Sequence, residues 1–406
     1  MTGQLVGLLG GARVAVVDDR GTVRPERALW SLEWWIGAED RWHRAARETA
    51  VRQSLVDGMP VIRTAMRVPG GDAVHEVYGA SGSAVVVDIE NASPAPFVAA
   101  LVVRGATVVT LSDGELVVDS VPAVRAQRAP SRWAFATDGS LAAIVERGDA
   151  RDGAMPVVRD RRATVDVALL YPVAHRTRLR AAVALGRHDT TGIGTLDLTT
   201  VPSADAVARG WHAQLGRGLR VTLPDAALQS AVDTGRAQLL LAGQAWRADP
   251  AVYATLEDWG FDDEALVAWG RLGVLDRRRA RRPRSQHKDA GASWAQARSL
   301  ASDDGATRAT ALLDAVHRGL VHERAPDEVD MLPTWPVEWR GQPLDARDVP
   351  TRAGLVSFSV RWHGTRPALL WEAPAGTTVR APGLDPSWVT HDAQGETLLG
   401  SAEASG

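Results

Sequence analysis

Cysteine is absent from the 406 residues, which excludes disulfides and thiolate metal ligands. No charge sign dominates either: 46 Lys and Arg stand against 49 Asp and Glu, a formal net charge of −3 that gives no reason to expect a polyanionic partner. No apolar run approaches the roughly 18 residues that a membrane helix needs. The first eleven residues lack the basic segment and long apolar core of a signal peptide. We therefore expect a cytoplasmic protein that binds neither nucleic acid nor membrane.

Phe and Tyr are also scarce, with 4 and 3 copies, whereas Trp occurs 15 times. A flat indole can stack on the C–H face of a sugar ring while its N–H donates a hydrogen bond. The alternative for any single Trp is a large buried core residue. The excess of Trp therefore suggests a sugar-binding surface without locating it.

Residues 1–200 have the pattern of a large β-sandwich. Short Val-rich or alternating segments recur about every 8 to 12 residues, separated by turn sequences such as Asp19-Arg-Gly, Ser112-Asp-Gly and Asp138-Gly-Ser. We expect a dozen or more strands, in sheets with one solvated face. The clearest predicted strands lie at 13–17, 29–36, 60–68, 84–89, 96–103 and 163–171.

Helical patterns replace the strands near Pro202. Ser203 is a suitable N-cap for a helix over 204–215, and a short strand at 219–223 precedes a second helix after Pro224. From Pro326 the chain returns to turns and strands. Phe358, Val360 and Trp362 alternate along one of these strands and so share a face. Further helices are predicted at 249–257, 262–273, 292–302 and 305–320, with an arginine-rich loop at 277–290 between them.

Three segments resemble the six-hairpin glycosidases, in particular the glycogen-debranching and glucoamylase-like proteins. They are the stretch 206–231, the helix 237–243, and the pair Leu332-Pro-Thr-Trp-Pro-Val-Glu-Trp-Arg-Gly and Phe358-Ser-Val-Arg-Trp-His-Gly. The resemblance implies an N-terminal β-supersandwich, a linker helix, an (α/α)6 toroid and a small C-terminal β element. On this chain the implied domains are the supersandwich 1–200, the linker 201–223, the helical domain 224–323 and the β element 324–406.

The helical domain is too short for a full toroid. Twelve helices with their loops need some 250 to 350 residues by helix and loop length, whereas only about 100 lie between Pro224 and Glu323. The resemblance therefore implies a truncated, toroid-like array with an incomplete cleft, and hence a degenerate member. We expect the apolar face that the missing helices would have covered to be buried by the sandwich, by the arginine-rich loop or by a second copy of the chain.

Glycoside hydrolysis needs two opposed carboxyl groups. We name Asp258, beside Trp259, and Glu338, between Trp335 and Trp339, as the candidate acid and base, with the three Trp side chains as candidate substrate contacts. Glu323 is another candidate second acid. The alternative for Asp258 is an acidic helix start nearby that offsets the helix dipole, and for Glu338 a solvated loop position.

Other chemistries find less support. The run 277–284 holds six arginines in eight residues and could neutralise phosphates, but a solvated loop explains it better in a slightly acidic chain. No His pair has metal-ligand spacing, no Gly-x-Ser-x-Gly occurs, and the early glycines do not form a nucleotide fingerprint. We therefore expect neither metal nor cofactor.

Three functions remain open. The first is hydrolysis of an α-glucan or a related oligosaccharide by Asp258 and Glu338. The second is binding of such a carbohydrate without catalysis. The third is a structural or regulatory role, for example through a homo-oligomer joined by helix faces, since a fold alone does not fix a function.

Overall fold

A computed structural model describes residues 3–11, 13–81, 84–160, 163–186, 193–245, 249–271, 293–301 and 306–400. The chain divides into two compact units. The first runs from Met1 to Trp211 and includes Gln244–Trp246, and the second holds the other residues. The arginine-rich loop predicted at 277–290 lies outside the described residues.

The first unit is built from strands, as its sequence pattern predicts. Its described residues hold seventeen: β1 (Gln4–Gly7), β2 (Val14–Val17), β3 (Val23–Pro25), β4 (Ser31–Gly37), β5 (Trp42–Arg44), β6 (Val51–Leu55), β7 (Val61–Val68), β8 (Gly71–Ser81), β9 (Ala84–Ala92), β10 (Phe97–Ala106), β11 (Val108–Ser112), β12 (Glu115–Val118), β13 (Val121–Ala126), β14 (Arg132–Ala136), β15 (Val158–Arg159), β16 (Val165–Val173) and β17 (Arg178–Ala184).

These strands form two antiparallel sheets. The order in the first sheet is β1-β2-β3-β4-β10-β16-β14, with β5 paired to β4, and in the second it is β15-β11-β12-β13-β17-β9-β8-β7-β6. Side chains of both sheets meet in one apolar core that includes Trp34, Ile62, Val87 and Leu169. Alternate residues along a strand point to opposite faces, so the alternating sequence segments bury one face in this core.

Two helices accompany the sheets. Helix α1 (Leu141–Glu146) packs Leu141 and Val145 on the outer face of the first sheet, against Trp35 and Leu170. Helix α2 (Ala204–Leu215) begins in this unit and continues past its boundary at Trp211. It starts after Ser203, whose Oγ accepts a hydrogen bond from Ala206 N at 3.3 Å. This bond satisfies one of the N–H groups left open at a helix start.

The second unit combines helices with strands. Its described helices are α3 (Ala226–Ala242), α4 (Pro250–Asp258), α5 (Asp262–Gly270), α6 (Ser293–Ala301) and α7 (Ala306–Leu320). Its described strands are β18 (Arg220–Thr222), β19 (Val321–Ala325), β20 (Glu328–Met331), β21 (Leu344–Thr351), β22 (Gly354–His363), β23 (Arg366–Glu372), β24 (Thr378–Ala381), β25 (Asp385–Thr390) and β26 (Gln394–Leu398).

Aspartates mark the starts of two of these helices, α3 and α4. Asp225 caps α3 by accepting from Ala227 N and Leu228 N, both at 3.0 Å. Asp249 caps α4, and Pro250 occupies its first turn, where a missing N–H costs nothing. Local chemistry thus fixes where α3 and α4 begin.

The strands of the second unit form two smaller sheets, in the orders β18-β21-β22-β23-β26 and β19-β20-β24-β25. Strand β18, which the sequence places in the linker, pairs with β21 near the other end of the unit. The pair β20 and β24 is parallel.

The predicted order of a β-rich N-terminal part, a helical stretch and C-terminal strands is confirmed, and the chain is a multi-domain β + α protein. The boundaries at 200, 223 and 323 stay predictions.

Candidate functional site

Four tryptophan rings lie in contact in the second unit. Trp294 on α6 meets Trp339 edge-on, with ring centroids 4.7 Å apart. Trp335 lies 6.0 Å from Trp339 on one side and 6.0 Å from Trp362, on β22, on the other. We call these four residues the tryptophan cluster. It joins a helix, a strand and the loop that carries three of the predicted site residues, Trp335, Glu338 and Trp339.

Hydrogen bonds fix the positions of two of the four rings. Trp294 Nε1 donates to Thr334 O at 3.2 Å, and Trp362 Nε1 donates to Gln342 O at 2.9 Å. The loop itself turns through a short 3-10 helix, Val337–Trp339, which follows Pro336. The cluster is therefore tied at both ends to the backbone of one loop.

Burial divides the cluster into a base and a surface. Trp294 and Trp339 are 3% and 2% exposed. Trp335 and Trp362 are partly exposed. The two buried rings support the two that reach solvent, and rigid support is what an aromatic binding surface needs.

An ion pair flanks this surface. Glu338 pairs with Arg298, which lies one helical turn after Trp294 on α6 and hence on the same helix face. Their side chains are 51% and 34% exposed. Charged and hydrogen-bonding groups therefore stand beside the partly exposed indoles.

Two polar atoms at this loop are buried without a hydrogen-bond partner among the described residues: Trp335 Nε1 and Thr334 Oγ1. A buried donor left unpaired costs about 1–3 kcal/mol. These neighbouring atoms would gain from any water or ligand hydroxyl that reached them.

Asp258 and Trp259 lie at the end of α4. Trp259 is fully buried, and its Nε1 donates to Leu313 O at 3.2 Å on α7. The guanidinium of Arg236 lies 5.6 Å from the Trp259 ring centroid, and burial lowers the pKa of Arg236 from its usual value. In this structure neither face of the Trp259 ring is accessible to a sugar. Its role in stacking stays a prediction, and it would require the surrounding helices to move apart.

The acidic residues near Asp258 have structural partners. Asp262, Asp263 and Glu264 lie in the first turn of α5, where negative charge offsets the helix dipole. Glu264 also pairs with Arg217. Glu257 accepts a hydrogen bond from Trp269 Nε1 at 2.9 Å. Helix starts and packing explain these acids.

The structure thus brings Trp335, Glu338 and Trp339 together in one turn and places Asp258 and Trp259 at a helix end. Glu323 pairs with Arg352 at 2.5 Å. Sequence reasoning missed Trp294, Arg298 and Trp362 as members of the site. The i, i+4 spacing of Trp294 and Arg298 on a predicted helix was the available signal.

In the part of the chain that the structure describes, no three His, Asp or Glu side chains converge on a metal-sized site. Over the same residues, no helix combines the length and apolar character needed to cross a bilayer.

Comparison with known proteins gives structural neighbours only. No protein-family model and no curated protein sequence matches the chain. A bacterial glucoamylase complexed with acarbose superposes with a TM-score of 0.47 at 5% identity, covering 66% of this chain and 50% of that one. A family GH92 inverting mannosidase from Bacteroides thetaiotaomicron gives 0.37 at 10% identity, covering 58% and 36%.

A further family GH92 glycosyl hydrolase gives a TM-score of 0.38 at 12% identity, covering 80% of this chain and 55% of that one. The chain thus spans between 36% and 55% of the length of these three structures. Each of these three TM-scores is below 0.5, so these neighbours do not assign a function to this chain.

Proposed function

We propose that this chain is a carbohydrate-active protein of glycosidase-like architecture that binds an oligosaccharide at its tryptophan cluster and has lost the complete catalytic cleft. The architecture would be a supersandwich followed by a shortened toroid, as the sequence resemblance implies. The observation that carries the proposal is the pair of partly exposed indoles, Trp335 and Trp362, supported by the buried Trp294 and Trp339.

The chemistry of this surface suits a sugar. Indole faces contact the C–H face of a pyranose, and such aromatic contacts contribute about 0.5–1.5 kcal/mol beyond the area that they bury. Glu338 and Arg298 supply an acceptor and several donors for the hydroxyl groups at the ring edge. A neutral, polyhydroxylated chain uses both kinds of contact at once.

Hydrolysis is the second candidate. It is favoured by one observation, the half-exposed carboxylate of Glu338 beside Trp335. With Asp258 as the acid, the two carboxyls would have to stand about 5 to 9.5 Å apart across the scissile bond. Since Arg298 already engages Glu338 and Trp259 is buried, we place binding ahead of hydrolysis.

The test measures binding and turnover together. Titration calorimetry with malto- and manno-oligosaccharides is run on the wild type, Trp335→Ala and Trp362→Ala, with Trp388→Ala as the matched control. Trp388 is also a partly exposed indole of the same unit. Its ring meets that of Trp371 edge-on, with the ring centroids 5.0 Å apart. We expect about three- to tenfold weaker binding for the two cluster variants, from the size of aromatic contacts, and no change for the control.

The same preparations decide between the two candidates. Release of reducing ends by the wild type, abolished in Asp258→Asn and Glu338→Gln, would show hydrolysis. Binding without any release would support the non-catalytic function. Equal affinity in the wild type and in both cluster variants would contradict the proposed site.

A further inference from the structure

A cavity opens at one end of the sandwich in the first unit. Its volume is about 620 Å³, within the range of small-ligand sites. Its walls come from both sheets: the stretch between β3 and β4, the turn between β12 and β13, and the end of β17. The polar and aromatic side chains of its lining include Arg27, Trp30, Asp119 and Ser120.

Trp30 provides an aromatic wall. It packs against the sandwich core and remains partly exposed where it lines the cavity. A half-buried indole at a cavity wall can present a flat face to a ring.

The turn between β12 and β13 is strained. Val118 pairs with Val121, so Asp119 and Ser120 are the two central residues of a two-residue hairpin turn, and both have positive φ, 50° and 68°. Turns of this kind favour Asn or Asp at the first position and Gly at the second. Serine at the second position therefore carries a conformational cost that glycine would avoid, and such strain is often kept where a side chain has a function.

The rest of the turn is clamped. Asp119 Oδ1 accepts hydrogen bonds from Thr107 N at 3.3 Å and Val108 N at 3.0 Å, and Asp119 N donates to Val108 O at 2.9 Å. Asp119 Oδ2 and the Ser120 hydroxyl make no hydrogen bond to a described residue. The turn thus holds a carboxylate oxygen and a hydroxyl in place at the cavity wall.

The charges of the wall select the ligand class. Arg27 and Asp119 are its only charged residues among those described, one of each sign. A phosphorylated or otherwise strongly charged ligand would meet no net counter-charge here. A neutral ring with an apolar face and several hydroxyl groups would meet an indole, a carboxylate oxygen and a hydroxyl.

We propose that this cavity is a second carbohydrate site, sized for a monosaccharide or disaccharide, with Trp30 stacking on the ring and Asp119 and Ser120 contacting its hydroxyl groups. The site is built only from residues of the sandwich unit. It does not depend on the tryptophan cluster, and either site can exist without the other.

The test uses the full chain carrying Trp335→Ala, which weakens binding at the proposed cluster surface, and variants at Trp30 and Ser120 then separate the cavity from any binding that remains at the cluster. Glucose, mannose and maltose are titrated by calorimetry into this background and into versions that add Trp30→Ala or Ser120→Gly. The matched control adds Leu29→Ala, because Leu29 is 76% exposed, adjoins Trp30 and does not line the cavity.

We expect saturable binding of at least one sugar, about tenfold weaker with Trp30→Ala, as loss of one aromatic contact predicts, and unchanged with Leu29→Ala. Ser120→Gly should weaken binding while raising the melting temperature, because it removes both the hydroxyl and the strain. This second variant keeps the test valid if Trp30→Ala destabilises the fold.

Absence of saturable binding in the Trp335→Ala background would overturn the proposal, and so would full affinity in both Trp30→Ala and Ser120→Gly. Neither result would bear on the tryptophan cluster, which is tested by its own variants.

Discussion

Asp88 and Arg180 form a two-point ion pair across neighbouring strands β9 and β17. Arg180 Nε lies 2.8 Å from Asp88 Oδ1 and Nη2 lies 2.8 Å from Oδ2, while the Asp88 side chain is 1% exposed. The hydrogen bonds that Arg180 donates to Asp88, together with the negative charge of Asp88, raise the pKa of Arg180 above its ordinary value. Burial raises the pKa of Tyr78, so its hydroxyl stays protonated, 2.9 Å from Asp88 Oδ2.

This pair also holds the segment that leads into α2. Arg180 Nη1 donates to Leu198 O at 3.2 Å and to Val201 O at 2.8 Å. One guanidinium thus satisfies a buried carboxylate and two backbone carbonyls of a stretch without regular structure. The start of α2 is positioned through a contact between residues distant in sequence.

We predict that Arg180→Met lowers the free energy of unfolding by about 3 kcal/mol, the low end of the range for breaking a buried ion pair. Among the described residues, only Arg178 Nη1 at 3.4 Å and the Tyr78 hydroxyl at 2.9 Å would then remain beside the buried Asp88 carboxylate. Urea denaturation monitored by far-UV circular dichroism measures this. The control is Arg147→Ala, whose pair with Asp149 is 62% and 57% exposed and should change stability by less than about 1 kcal/mol. If both variants lost a similar free energy of unfolding, the stabilising role inferred for the buried Arg180–Asp88 pair would be wrong.

The buried His75 should make the stability of the protein depend on pH. It is buried against Trp34, with ring centroids 4.9 Å apart, and burial lowers the pKa of His75 to about 3. In the unfolded chain the pKa returns to about 6.5, so below that pH the unfolded state binds the extra proton. Burial of the neutral His75 ring therefore contributes fully to the free energy of unfolding above about pH 6.5. This contribution is lost progressively as the pH falls towards 3.

The contribution of His75 to the free energy of unfolding should fall by about 2 kcal/mol between pH 7.5 and pH 5. Urea denaturation at pH 7.5 and pH 5 should therefore show a smaller difference in His75→Phe than in the wild type. An aromatic ring at this position retains the contact with Trp34. An equal difference in both proteins would show that His75 does not titrate on unfolding.

Gly319 supports the tryptophan cluster from α7. A Cβ atom at this position would lie 2.5 Å from Trp294 Cε2. Gly319→Ala should therefore cost about 1–3 kcal/mol through overpacking, more than the roughly 1 kcal/mol that alanine gains in a helix. We expect altered near-UV circular dichroism from the displaced indoles and a lower melting temperature.

The control for this change is Gly210→Ala. Gly210 lies within α2 with no atom near the Cβ position, so alanine there should stabilise the helix. If Gly319→Ala were as stable as Gly210→Ala and its near-UV signal were unchanged, this would contradict the close packing of Trp294 on Gly319 of α7.

The local elements of this fold could be predicted because local chemistry determines them. The segment predicted as a strand at 60–68 is β7, and the helix predicted at 204–215 is α2 with Ser203 at its cap. Alternating burial and side-chain capping act over a few residues and so leave a clear pattern. A short loop after His363 connects β22 to β23, whose first pair is His363 and Arg366.

Other elements were hidden because they depend on distant contacts. The sequence Asp138-Gly-Ser reads as a turn, and Asp138 Oδ1 does accept from Ser140 N at 3.0 Å, but α1 follows it with only six residues, too few to show a helical period. The parallel pairing of β20 with β24 joins strands about 50 residues apart. No local signal marks such a pair.

The candidate site shows the same division. Trp335, Glu338 and Trp339 lie within five residues, and their proximity was evident from the sequence. Trp294 and Trp362 join them from a separate helix and strand, and only tertiary packing brings them there. Trp259 has the same sequence context of nearby acids as a binding residue but is buried by α7.

The most direct test of carbohydrate binding at the tryptophan cluster is the indole N–H spectrum of the ¹⁵N-labelled protein during titration with the tightest-binding oligosaccharide, with resonances assigned through Trp335→Phe, Trp362→Phe and Trp34→Phe. We predict that the Trp335 and Trp362 resonances shift with ligand concentration while that of Trp34, in the sandwich core, does not. Saturation of binding with the Trp335 and Trp362 resonances unmoved would contradict the account.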